Sequence, residues 1–142
     1  MSQFVKLSEG TIIAFHTLSL LAYSGEKLLS NREIAKGLEC SYDHLSKILQ
    51  RLTKAGLVSS VRGPTGGFKL AKSAKEVNLL QIVEAMEGPM EKFACPLAKP
   101  ACPSPIKRCF VGPGVTDAEL TLRKKFKETT LETIAKSFKE DK

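Results

Sequence analysis

Tryptophan is missing from this 142-residue chain and aromatic residues make up only 6% of it, so any hydrophobic core has to be built mostly from aliphatic side chains. Long apolar runs are missing as well. The longest, residues 17–23 and 79–86, fall well short of the roughly 20 residues that a membrane-spanning helix needs. The N-terminus lacks the basic region, apolar stretch and cleavage site of a secretory signal, which makes a cytoplasmic location the expectation. Histidine occurs only twice, at His16 and His44, and no Ser/His/Asp set is evident. A catalytic role is therefore not expected.

What is present is unevenly placed. Lys and Arg number 22 against 15 Asp and Glu, a net charge of +7. Residues 1–75 hold eleven cations and five anions (+6), whereas residues 76–142 hold eleven and ten (+1). Excess positive charge in one half points to a polyanionic partner there, with a solubility charge as the plainer alternative. Cysteine is scarce, yet three of the four, Cys95, Cys102 and Cys109, fall within fifteen residues. In a reducing compartment such a cluster more often binds metal or does redox chemistry than forms structural disulfides.

Local patterns predict a mainly α protein with a small β-hairpin. Residues 8–23 are apolar on more than one face, which predicts a well-buried first helix. Ser30 followed three residues later by Glu33 is a capping box for a short second helix. Ser41 is the N-cap of a third helix through Ala55, with Leu45, Ile48, Leu49 and Leu52 as its apolar stripe and Gly56 as its stop. Two β-prone runs then flank the tip Arg62-Gly63-Pro64-Thr65-Gly66-Gly67. Three helices followed by a hairpin is the order of a winged helix-turn-helix, completed by a short helix over residues 79–87. Residues 91–114 contain five prolines, which denies them regular structure. Thr116 and Glu119 read as another capping box, opening one helix of some twenty residues whose stripe is Ala118, Leu122, Phe126, Leu131, Ile134, Ala135 and Phe138. The expected organisation is a DNA-binding winged helix-turn-helix over 1–90, a three-cysteine loop over 91–114, and a dimerisation helix and tail over 115–142, with packing of that helix back on its own domain as the alternative.

A helix-turn-helix lays its second helix in the major groove, where each base pair shows a distinct pattern of donors and acceptors. Ser41, Tyr42 and His44 offer hydrogen-bonding groups at the start of that helix, and Lys47 and Arg51 offer charge for phosphates. Ser30 and Asn31 begin the preceding helix. In the hairpin tip, Arg62 suits a narrow minor groove. Its neighbours Gly63, Pro64, Thr65, Gly66 and Gly67 allow close backbone approach. For each position the alternative is solvated surface; jointly they favour double-stranded DNA as partner.

Several stretches resemble one known family. Leu7-Ser8, Ser41-Tyr42 with Leu45, Lys54-Ala55-Gly56-Leu57-Val58, the run from Arg62 through Ala71, and the run from Ile82 through Pro89 look like the Rrf-two (Rrf2) family of bacterial transcription regulators. The resemblance implies a homodimer joined by the C-terminal helix on a roughly palindromic operator. It also implies that Cys95, Cys102 and Cys109 ligate an iron–sulfur cluster, 2Fe–2S or 4Fe–4S. Their spacing is one residue wider than in the best-known members. The family's fourth ligand varies. Gly112 stands at its late His position and Ile12 at its first-helix acidic position, leaving Glu9 and His16 as candidates; His16, in an apolar segment, reads more readily as a packed core residue. Cys40 reads as a small buried residue.

The expected function is therefore a DNA-binding regulator that senses redox state, nitric oxide or iron–sulfur status through the three cysteines. Zinc, which also takes thiolates, a thiol switch, or a cluster-free member of the same fold stand as alternatives. A redox protein that does not bind DNA is the rival from another class. The glycines at 63, 66 and 67 sit in a hairpin tip and not between strand and helix, where a dinucleotide-binding loop would need them. A winged helix that binds only protein is a third reading.

Overall fold

A computed structural model describes residues 7–98, 100–105 and 109–140, except for the side chain of Glu140. Helix α1 (Glu9–Ser24) is capped by Ser8, whose hydroxyl accepts the Thr11 N–H at 3.2 Å, and it ends at Gly25 with φ 62°. Its inner face buries Ala14, Leu18 and Leu21. The expectation of a well-buried helix is corrected at Ile12 and Tyr23, which are 41% and 43% exposed. His16 is also exposed and is not a core residue.

Helix α2 (Asn31–Gly37) carries both arms of the expected capping box. The Ser30 hydroxyl accepts the Glu33 N–H at 3.1 Å, and the Glu33 carboxylate accepts the Ser30 N–H at 2.7 Å. The chain then turns through Glu39, the one non-glycine among the described residues with positive φ (52°). L-residues pay for this conformation sterically, and here it sets the angle between α2 and helix α3 (Tyr42–Lys54). Ser41 caps α3 by accepting the His44 N–H at 3.1 Å, and Leu45, Ile48, Leu49 and Leu52 are its buried stripe. Cys40 is half-buried against the same core.

Strands β1 (Val58–Val61) and β2 (Gly67–Leu70) pair antiparallel, Val58 opposite Leu70 and Val61 opposite Gly67. The hairpin is moored to the helices by a bridge in which Leu29 and Phe68 exchange both backbone bonds, at 3.1 and 2.7 Å. This close approach requires glycine at position 67, since a Cβ there would lie 2.8 Å from the Leu29 carbonyl oxygen.

Helix α4 (Leu79–Glu87) opens on a second complete capping box, Asn78 with Gln81, and buries Ile82, Val83 and Met86. Beyond it two expectations are corrected. Helix α5 (Val111–Glu128) starts five residues before Thr116, whose hydroxyl donates inside the helix to the Gly112 carbonyl at 2.9 Å and caps nothing. Pro113 is accommodated in the first turn, where a missing N–H costs no helical bond. The single C-terminal helix is in fact two, α5 and α6 (Leu131–Glu140). Between them Thr129 is extended (ψ 113°) and the chain runs beside residues 74–79. Leu79 N–H donates to Thr129 O at 3.0 Å, and Leu131 N–H to Val77 O at 2.9 Å. These bonds and the complete burial of Leu131 outweigh helix continuation through two β-branched threonines. Helix α6 packs on α1, with Leu131 in the subunit's own core and Ile134 against it, while Phe138 at the end of the expected dimerisation stripe is 46% exposed. No described helix is long and apolar enough to cross a membrane.

Candidate nucleic-acid interface and cysteine loop

The stripe that buries α3 determines which of its side chains face outward. With Leu45, Ile48, Leu49 and Leu52 inside, Asp43, Lys47, Gln50 and Lys54 are exposed on the opposite side. One flank of the helix looks toward the hairpin. There Tyr42, Ser46, Gln50, Thr53 and Lys54 share a groove of about 760 Å³ with Ser30 and Asn31 from α2 and Ser60, Val61, Arg62, Gly63, Gly66 and Gly67 from the hairpin. The groove has two cations, Lys54 and Arg62, and no carboxylate in its lining. Such a concave surface with a one-signed field attracts a polyanion. Arg62 and the first turn of α3 thus lie on the same side of the subunit, the geometry a duplex needs if a helix and a wing are to meet it together.

Within this groove the Asn31 side-chain amide donates to the Ser46 hydroxyl at 2.6 Å, tying α2 to α3, while its Oδ1 is buried without a hydrogen-bond partner among the described residues. Backbone and hydroxyl bonds from Ser30, aided by nearby Lys27, hold the Glu33 carboxyl below its usual pKa. Pro64 and Thr65 are exposed at the tip of the hairpin, closed by a Gly66 N–H to Gly63 O bond of 3.0 Å.

The other sequence candidates divide differently. Ser41 spends its hydroxyl on the cap. His44, Lys47 and Arg51 line a second groove with Ser8, Glu9, Gly10 and Met86, on the flank of α3 away from the hairpin. Arg51 donates to the Met86 carbonyl oxygen at 3.0 Å. Beside it the Glu87 carboxylate accepts the Ser8 N–H at 2.8 Å and the Thr11 hydroxyl. The Ser8 and Thr11 hydrogen bonds, helped by Arg51, keep this carboxyl below its ordinary range. Sequence reasoning missed Ser46, Gln50, Thr53, Lys54 and Ser60. The first four follow Tyr42 at helical spacing, a signal that marks one flank but not what faces it.

The cysteines sit on the long segment between α4 and α5. Cys95 is half-buried, and Cys102 and Cys109 are exposed. Cys109 lies just ahead of α5, its sulfur accepting the Gly112 N–H at 3.5 Å. The donor chemistry, three thiols on one loop, suits soft-metal or iron–sulfur ligation. Among the described residues, however, no three His, Cys, Asp or Glu side chains are gathered closely enough to hold a metal ion. Glu9 lines the groove beside Arg51, and His16 lines an apolar cavity with Leu20, Tyr23, Leu38 and Phe138.

Comparison with known proteins places this arrangement. A family described as iron-dependent transcriptional regulators, Rrf2, matches residues 7–137. Over 76 residues the chain is 40% identical to the transcriptional regulator IscR of Cereibacter sphaeroides, a match covering 54% of this chain and about half (49%) of that protein's length. It is 30% identical over 135 residues to the regulator NsrR of Oceanobacillus iheyensis, covering 88% of each. The solved structure of CymR, the global cysteine regulator of B. subtilis, superposes with a TM-score of 0.75 at 25% identity, covering 94% of this chain and 98% of that one.

Proposed function

The chain belongs to the Rrf2 family of transcriptional regulators, and from that premise we propose that it binds operator DNA as a homodimer and answers to an iron–sulfur cluster on its cysteine loop. The observation that carries the DNA reading is the shared groove: Arg62 of the hairpin and the Tyr42–Lys54 flank of α3 open onto one surface. In this reading the exposed face of α3 enters the major groove, and Arg62 with Gly63, Pro64, Thr65, Gly66 and Gly67 follows the adjacent backbone or minor groove. Ser30, Asn31 and Tyr42 line the same groove and would contact the sugar–phosphate edge. Lys47 serves from the outer face of α3.

Dimer formation draws support from α5. None of its residues is buried, and Phe110 and Val111 are 84% and 68% exposed at its head. Val115, Ala118 and Leu122 continue the same face. An apolar stripe of that length needs a second surface, and a second copy of α5 would set two reading helices at the spacing of operator half-sites.

Cys95, Cys102 and Cys109 are the residues that would hold the cluster, with Glu9 or His16 as candidate fourth ligand. Bound there, a cluster supplies a centre whose potential and reactivity depend on its type and exposure. Redox state, nitric oxide and iron–sulfur supply are the corresponding signals. A second reading, a cluster-free member using zinc or a thiol switch, draws on the likeness to CymR, a cysteine regulator whose Staphylococcus aureus form has also been solved oxidised. Anaerobic purification with an absorption spectrum and iron and sulfide assays separates them. Brown protein with visible absorption supports the cluster; colourless, zinc-containing protein that resists reconstitution overturns it. DNA binding is tested by titrating salt against affinity for a duplex selected from a random pool, where a steep loss is expected.

A further inference from the structure

Arg51 is exposed on α3, yet one arm of its guanidinium is engaged within the subunit. It donates to the Met86 carbonyl at 3.0 Å, in the last turn of α4. The adjacent residue, Glu87, is itself fastened to the start of α1 by the Ser8 N–H and the Thr11 hydroxyl. Gly10 of α1 packs into the same corner, where a Cβ would come within 3.5 Å of the Met86 methyl and 3.9 Å of His44 Nε2. Three elements therefore meet at one knot: the head of α1, the middle of α3 and the end of α4.

We propose that Arg51 is a positioning residue which fixes the reading helix against the end of α4 through Met86 and the Glu87–Thr11 bond, and that it does not contact DNA phosphates. This rests on the DNA-binding reading above and deepens it. A guanidinium bonded to a backbone carbonyl has a fixed direction, so it sets how α3 is presented to the bases. The knot also adjoins the cysteine loop. After Gly88 the chain passes to Met90, whose carbonyl accepts from Arg123 of α5 at 2.9 Å, and to Phe93, whose N–H donates to Glu119 of α5 at 2.9 Å.

The test compares the full-length wild type, Arg51→Ala, Thr11→Val, the double variant and Lys54→Ala on two duplexes, one selected by the wild type from a random pool and one of shuffled sequence, each over a range of salt. Lys54→Ala, a phosphate-contact control, should weaken both duplexes and lower the salt slope by about one. Arg51→Ala should keep the wild-type slope, lose about tenfold on the selected duplex and change little on the shuffled one, since only base readout needs a fixed helix angle. Thr11→Val should behave alike, and the double variant should lose no more than Arg51→Ala alone. A slope reduced by about one in Arg51→Ala, with both duplexes weakened equally, overturns the proposal and leaves DNA binding standing; so does an Arg51→Ala protein indistinguishable from wild type. If the wild type itself binds neither duplex in a salt-dependent way, the DNA-binding reading fails, and this one with it. Should Arg51→Ala lose its helical circular dichroism, Thr11→Val, which alters no charge, is judged by the same criteria.

Discussion

In α3 four side chains, Leu45, Ile48, Leu49 and Leu52, are no more than 2% exposed, whereas the longer α5 buries none of its residues. Both helices carry an apolar stripe. The stripe of α3 meets α1, α2, α4 and β1 of the same subunit. That of α5 touches mainly α4 along one edge and otherwise faces outward. The contrast separates two kinds of amphipathic stripe: one makes the fold, and the other stays open, the face on which the proposed dimer rests. Helix α6 belongs with the first group, because Leu131 is wholly buried and the chain around it is bonded to residues 74–79.

The sharpest break of this contrast is Leu131→Ala. Removing a completely buried leucine should lower the unfolding free energy by about 2–5 kcal/mol in urea titrations followed by circular dichroism; a loss below about 1 kcal/mol would put α6 outside the core after all. Next is Gly67→Ala, where the new Cβ would stand 2.8 Å from the Leu29 carbonyl. A cost of about 1–3 kcal/mol is expected from overpacking, together with weaker DNA binding as the wing shifts.

A smaller effect follows from Glu87, whose carboxyl is held below its ordinary pKa by the Ser8 and Thr11 bonds. A depressed folded-state pKa adds stability that is complete above the unfolded value and disappears as pH falls through the folded one. Wild-type Tm should therefore drop as pH falls below the ordinary carboxylate value of 4.5, and Glu87→Gln should flatten that part of the curve. The smallest effect on the isolated subunit is that of Phe110→Ser. With the ring 84% exposed, subunit stability should change by less than about 0.5 kcal/mol. If α5 is where two copies meet, the same substitution should shift sedimentation toward single subunits.

Much of the first module was legible because its signals are local. Ser30 with Glu33, and Ser41 ahead of the α3 stripe, each close hydrogen bonds within one helical turn, so their spacing alone reveals the cap. Thr116 with Glu119 has the same spacing and caps nothing, because the helix had already begun at Val111. The stretch at 129–130 likewise shows only a continued apolar rhythm, and nothing local announces that the carbonyls of Val77 and Ala74 will capture the N–H groups of Leu131 and Glu132. In the candidate interface, the outward face of α3 could be read from its stripe. The sorting of its flanks could not: Ser46, Gln50 and Lys54 turn toward the hairpin, and Arg51 toward α4.

The amino-acid order alone determined the element types, the caps of α2 and α3, the hairpin with its glycine-rich loop and the placing of three thiols on one segment, since each depends on neighbours a few residues away. Only the folded subunit decided where the last helix breaks, which flank of α3 joins Arg62, and that Arg51 bonds the Met86 carbonyl. Those outcomes depend on groups of different elements competing for the same donors and the same buried space, and periodicity along a chain does not register such competition.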